Sequence, residues 1–161
     1  MSVIIIGVGN PVLTDDSVGI QVVRRLAEEL IGRAGITTRE LYAGGISLME
    51  AMSGHQKAII IDAILTEGGR PGTIYSLTPS DLLHSRNIHS THDASLPVAL
   101  ELGKMTGLPL PEEVGIWAVE AQDVETFSES LTEEVETAVP AVVSQVLRQL
   151  KEARFHPGDQ A

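Results

Sequence analysis

Two adjacent carboxylates stand where an apolar run has just ended. The chain opens "VIIIGVGNPVLTDDSVGI", with Asp15 and Asp16 between a Gly-Asn-Pro turn and a new apolar period. A second apolar run, "KAIIID", also ends in an acid, Asp62. A third stretch, "NIHSTHDASLPVAL", sets His89 and His92 ahead of a helical pattern. In an open α/β sheet, ligands bind outside the carboxyl ends of the parallel strands. Two strand-end acids and an imidazole at one such edge would make a three-ligand site for a divalent metal, with coordination positions left open. The candidates are Asp16, Asp62 and His92. Each also has a plainer reading. Asp15 and Asp16 precede a helix, where acids accept N–H groups and complement the macrodipole, and for Asp15 this is the expected role. Asp62 could cap a turn, and His89 and His92 could be ordinary loop residues.

The elements that must position these residues follow from periodicity. Val3–Val8 is a continuous β-branched run, the pattern of a strand buried on both faces. Val18, Val22, Leu26 and Leu30 recur every fourth residue, opposite Arg24, Arg25, Glu28 and Glu29, which predicts an amphipathic helix stopped by Gly32 and Gly35. A weaker strand is expected over Thr37–Tyr42, a short helix over Ile46–Met52, a strong strand over Lys57–Asp62 and a moderate one over Gly72–Leu77. Residues 79–90 read as loop, with one helical turn near Asp81–Leu83. A helix from about Asp93 to Met105 carries Pro97 in its first turn, where a missing N–H costs little. Val114–Val119 is a further strand. The last helix, about Leu131–Lys151, has Ser130-x-x-Glu133 in the form of a capping box, and Pro140 should kink or split it. Alternating strands and helices predict a three-layer α/β/α sandwich on a mostly parallel, twisted sheet of about five strands. One domain is expected over 1–152, with a frayed tail over 153–161.

Composition narrows the function. The 161 residues carry a formal charge of −11, so a phosphate backbone or anionic lipid would be repelled and a basic protein segment attracted. Aromatic residues are only 3% of the chain, so the core must be aliphatic. Cysteine is absent, which excludes disulfides, thiolate nucleophiles and Cys-based metal sites. No signal peptide and no apolar run near the roughly 20 residues of a membrane span is visible, so a cytoplasmic protein, expected as a monomer, is the reading. "GVGNPV" lacks the third glycine of a dinucleotide fingerprint. Gly-Lys-Ser/Thr, H-E-x-x-H and G-x-S-x-G are all missing.

The blocks "GVGNPVLTDDSVG", "AGGISLMEAM", "KAIIIDAI", "PGTIYSL", "HSTHDASLPVAL" and "GIWAVEAQDVETFSESLTEEVETAVPAVVSQVL" resemble, in order and spacing, the nickel–iron hydrogenase maturation proteases. The likeness runs from about Val3 to Leu150. It implies an endopeptidase that removes a C-terminal extension from the hydrogenase large-subunit precursor after nickel insertion. It also implies that an acid of the T-D-[DE] turn, an acid after the third strand and a His before the next helix engage that nickel. Here these are Asp16, Asp62 and His92. The metal arrives with the substrate, no organic cofactor is implied, and cleavage after a basic residue would suit the acidic charge. The chain departs from the family twice. Asp16 stands where Glu is common, which sets the carboxylate about 1.5 Å further back. Ala43 stands before the glycine pair where Asp is common. Rival expectations are a non-catalytic metal-recognition or chaperone-like module, an unrelated peptidase on the same fold, and a nucleotide-binding regulator.

Overall fold

The computed structural model describes residues 2–84, 88–89 and 96–154. Six strands and five α-helices alternate in the order β1 (Val3–Val8), α1 (Val18–Glu29), β2 (Ile36–Leu41), α2 (Ile46–Met52), β3 (Lys57–Thr66), β4 (Ile74–Leu77), α3 (Pro79–His84), β5 (Ile88–His89), α4 (Leu96–Met105), β6 (Glu113–Glu120) and α5 (Glu133–Arg154). A single 3₁₀ turn, Thr14–Ser17, leads directly into α1. The main sheet runs β2-β1-β3-β6-β4. Its first four strands are mutually parallel and β4 is antiparallel to β6. The two-residue β5 lies off this path, antiparallel to the end of β3.

Side-chain alternation sorts the core into two layers. Val3, Ile5, Ile59, Ile61 and Val119 face α1 and α5, packing on Val22, Leu26, Val139 and Val142. Ile4, Ile6, Ile60, Ile64 and Ile116 face α2 and α4, packing on Leu48, Met52 and Leu96. This is the expected three-layer sandwich with an aliphatic core. Among the described residues, no helix is long and apolar enough to cross a membrane.

Several boundaries differ from expectation. β3 does not stop at Asp62: it continues to Thr66, because β6 pairs with it as far as Ile64↔Glu120 and β5 pairs with Leu65 and Thr66. The segment after Thr78 is helical rather than loop. Thr78 and Asp81 cap one another, the Asp81 carboxylate accepting the Thr78 N–H at 2.7 Å and Thr78 Oγ1 accepting the Asp81 N–H at 3.3 Å. Pro79 takes the first helical position, which wants no N–H. Ser130-x-x-Glu133 is not such a box, since α5 begins at Glu133 itself. Nor is α5 split: it runs unbroken through Pro140, which leaves the Glu136 carbonyl without its usual amide donor. The expected tail from Phe155 onward and the first residues of the Asp93–Met105 helix lie outside the described residues.

Candidate functional site

β1 has β2 on one side and β3 on the other, so consecutive connections leave β1 in opposite directions. That makes the gap between the carboxyl ends of β1 and β3 a topological switch point, the usual ligand crevice of an open α/β sheet. The last β1–β3 pair is Gly7↔Ile61, and β3 goes on for five residues beyond it. Asp62 is therefore the first β3 residue past the paired part of β1. It is fully buried, and by alternation it shares the face of Ile60 and Ile64, the face covered by α2 and α4. Its Oδ1 accepts the Ala63 N–H at 2.8 Å.

Asp16 lies in the turn that follows the other strand of the gap, β1. The chain leaves β1 through Gly9, turns at Asn10–Pro11 and enters the 3₁₀ turn, which packs against β3. Asp16 is 1% exposed, and its Oδ2 accepts the Asn10 N–H at 2.9 Å, closing the turn on itself. Glycines bring this turn so close to the sheet. A Cβ on Gly19, in the first turn of α1, would stand 2.2 Å from the Ile61 carbonyl oxygen and 2.7 Å from that of Val8. One on Gly7 would stand 2.2 Å from the Gly19 carbonyl oxygen, and one on Gly9 2.0 Å from that of Asp16. Such distances are far inside van der Waals contact, so no other residue type fits without moving the backbone.

Asp15 points away from this gap. It is fully buried, yet it does not cap the helix that follows it: α1 has no side-chain cap. Its carboxylate instead accepts the N–H groups of Gln122 (2.9 Å), Asp123 (3.0 Å) and Thr132 (2.8 Å) and the Thr132 hydroxyl (2.8 Å). The expected role at the start of α1 is therefore not the one Asp15 plays: it holds the segment that leads into α5, more than a hundred residues later in the chain. The segment 121–132 is stitched to the 3₁₀ turn along its length. Thr14 N–H donates to the Ser128 carbonyl (2.9 Å), Thr14 Oγ1 to Thr126 (2.6 Å), Asp15 N–H to Asp123 (2.9 Å) and Ser128 N–H to Val12 (2.9 Å). Thr14 takes a left-handed conformation, φ 49°, unusual for a β-branched residue and held by these bonds. Within the segment, the hydroxyl of Thr126 and the N–H groups of Thr126 and Glu125 hold the Asp123 carboxyl below its ordinary range.

A fourth buried acid was not singled out from the sequence. Glu120, 1% exposed, ends β6 on the Asp62 face. It accepts the Thr66 N–H (2.8 Å), the Thr66 hydroxyl and the Tyr75 hydroxyl (3.1 Å), which ties the end of β3 to β4. The available signal was an acid closing an apolar run, "GIWAVE", the same signal that marked Asp62. Among the described residues, no three His, Asp or Glu side chains form a metal-binding group. The third expected ligand, His92, lies outside the described residues; His89, the other histidine of that stretch, lies in β5 beside Leu65.

Comparison with known proteins follows the same outline. The family model described as hydrogenase maturation protease matches residues 20–149, a span that contains Asp62 and begins four residues after Asp16. Over 155 residues the chain is 28% identical to the hydrogenase 2 maturation protease of Escherichia coli (strain K12), covering 95% of this chain and 93% of that protein. The hydrogenase maturating endopeptidase HybD from E. coli superposes with a TM-score of 0.79 at 26% identity, over 95% of this chain and 94% of that one. A solution structure of an endopeptidase from Escherichia coli gives 0.78 at 27%, over the same shares.

Proposed function

The chain belongs to the hydrogenase maturation protease family, and from that premise we propose that it is the endopeptidase that removes the C-terminal extension of a nickel-loaded hydrogenase large-subunit precursor. Asp16, Asp62 and His92 engage the nickel carried by the substrate, and the protein works in the cytoplasm as a monomer. The observation that carries this reading is the shared rim: two buried acids, Asp16 and Asp62, stand on either side of the β1/β3 switch point. His92 stands four residues before Leu96 in the sequence, and Leu96 is the buried first residue of the helix that packs on the Asp62 face.

The chemistry must run without a covalent thiolate, since the chain has no cysteine. Nickel held by the precursor docks the extension across the rim and aligns the scissile bond. A water molecule adds to the carbonyl carbon, its proton passes to a carboxylate acting as general base, and the departing amine is protonated as the C–N bond breaks. A carboxylate that must both meet a cation and accept a proton has to sit where water is scarce and charge matters, which describes both acids.

The test is mass spectrometry of a large-subunit precursor incubated with this protein, with and without nickel. Loss of a C-terminal peptide is expected only in the nickel sample. Asp16→Asn and Asp62→Asn should each lower the cleavage rate at least about a hundredfold with the fold intact by circular dichroism. Equal cleavage of metal-free precursor would overturn the nickel reading, and undiminished cleavage by both variants would overturn the site.

A further inference from the structure

Among the described residues seven large apolar side chains are exposed, and four of them, Val12, Tyr42, Ile46 and Phe127, follow the carboxyl ends of β1, β2 and β6. Phe127 is 83% exposed, although hydrogen bonds fix the backbone on both sides of it. The carbonyls on either side of it, of Thr126 and Ser128, both accept from Thr14, two residues before Asp16. Ser128 N–H donates to the carbonyl of Val12, which is itself 40% exposed. A rigid mount thus holds an aromatic ring in water beside the turn that carries Asp16. An exposed aromatic side chain on a fixed backbone, with a second exposed apolar residue beside it, is the kind of anchor that protein interfaces use.

The surroundings identify the occupant. From Ala121 to Leu147 the chain has six acids, Asp123, Glu125, Glu129, Glu133, Glu134 and Glu136, and no lysine or arginine. Glu125 and Glu129 flank the ring and are exposed. A second copy of this chain would bring the same acids against themselves, and its net charge of −11 adds to the repulsion.

We propose that Phe127, with Val12 beside it, is the docking point for the protein substrate, taking an apolar side chain of the precursor flanked by lysines or arginines. This rests on the reading of the protein as a precursor-cleaving endopeptidase, and it concerns how the substrate is held, not how it is cut. The acids around the ring pair with the basic flanks and speed encounter; the ring supplies the contact that keeps the complex together.

The experiment is steady-state cleavage of nickel-loaded precursor, together with direct binding of metal-free precursor, which stays uncut, measured for full-length variants. Phe127→Ser should raise KM and Kd about tenfold and leave kcat and thermal stability unchanged; Phe127→Leu should restore most of the affinity. The pair Glu125→Gln and Glu129→Gln should raise KM several-fold at low salt, and the difference should vanish at about 0.5 M salt, where surface charges are screened. Ile31→Ser, at an equally exposed apolar residue on the opposite end of the molecule, should change neither constant. The proposal is overturned if Phe127→Ser binds and cleaves within twofold of the parent. It is also overturned if Phe127→Ser instead abolishes a dimer seen by sedimentation. Loss of the nickel requirement would count against the function but not against this surface, because precursor binding to Phe127 is measured separately.

Discussion

The two ends of the sheet are built from the same strands and treat polar groups in opposite ways. At the carboxyl end, Thr14, Asp15, Asp16, Ser17, Asp62 and Glu120 are all buried, and they are the only buried polar or charged residues among those described. At the amino end no charged residue among those described is buried, although the Nε of the half-buried Arg33 is shut off from water. Lys57 pairs with Glu113 at 3.3 Å while their side chains remain 32% and 64% exposed, and Ser2 bonds to the exposed margin at His55 and Gln56. Burying a carboxylate is unfavourable unless every lone pair finds a donor. A fold that does this at one end only, and equips that end with backbone N–H donors from distant segments, has its chemistry there. The amino end does what an ordinary surface does.

This contrast can be broken by substitution, and the variants should rank by end. Asp15→Ala removes an acceptor from three part-buried backbone N–H groups and a hydroxyl; at the low end of the cost of an unmet donor, about 1 kcal/mol each, a loss of about 3 kcal/mol is expected in urea denaturation, with cleavage lost as well. Gly19→Ala comes next. Alanine gains about 1 kcal/mol in helix propensity, but its Cβ meets two backbone carbonyls; overpacking of about 3 kcal/mol wins, and net destabilisation of about 2 kcal/mol should accompany a fall in cleavage as α1 and Asp16 shift off β3. Lys57→Met, at the amino end, should change stability by less than about 0.5 kcal/mol and leave cleavage alone, as an exposed ion pair contributes little. A Lys57→Met effect as large as that of Asp15→Ala would erase the distinction between the ends.

Much of this was legible in the chain. The β-branched runs of β1 and β3 and the four-residue period of α1 announce themselves because burial on both faces or on one stripe leaves a direct pattern in residue type. Asp16 and Asp62 could be chosen as acids that follow apolar runs. What stayed hidden was set by tertiary contact. Asp15 and Asp16 are the same residue type one position apart; only the fold shows that one holds the segment leading into α5 and the other closes its own turn on Asn10. Gly7 and Gly19 look like ordinary glycines until α1 is laid across β1 and β3. Glu120 carries the same signal as Asp62 and went unread, since nothing local marks its bonds to Thr66 and Tyr75. Thr78-Pro-Ser-Asp81 and Ser130-x-x-Glu133 have nearly the same local form. The first starts a helix and the second does not, because Asp15 already supplies the cap at Thr132. His92 lies outside the described residues, so its role stands on resemblance.

The bonds from Asp15 to Gln122, Asp123 and Thr132 span sequence separations of 107, 108 and 117 residues. During synthesis, the turn that bears Asp16 must wait for more than a hundred further residues before it is locked. Loop closure over such a distance is among the late, slow events of folding. A nascent or truncated chain that ends before Gln122 has both acids and the switch point but no clamp, so the protease gains its working shape only after the segment through Thr132 has been made.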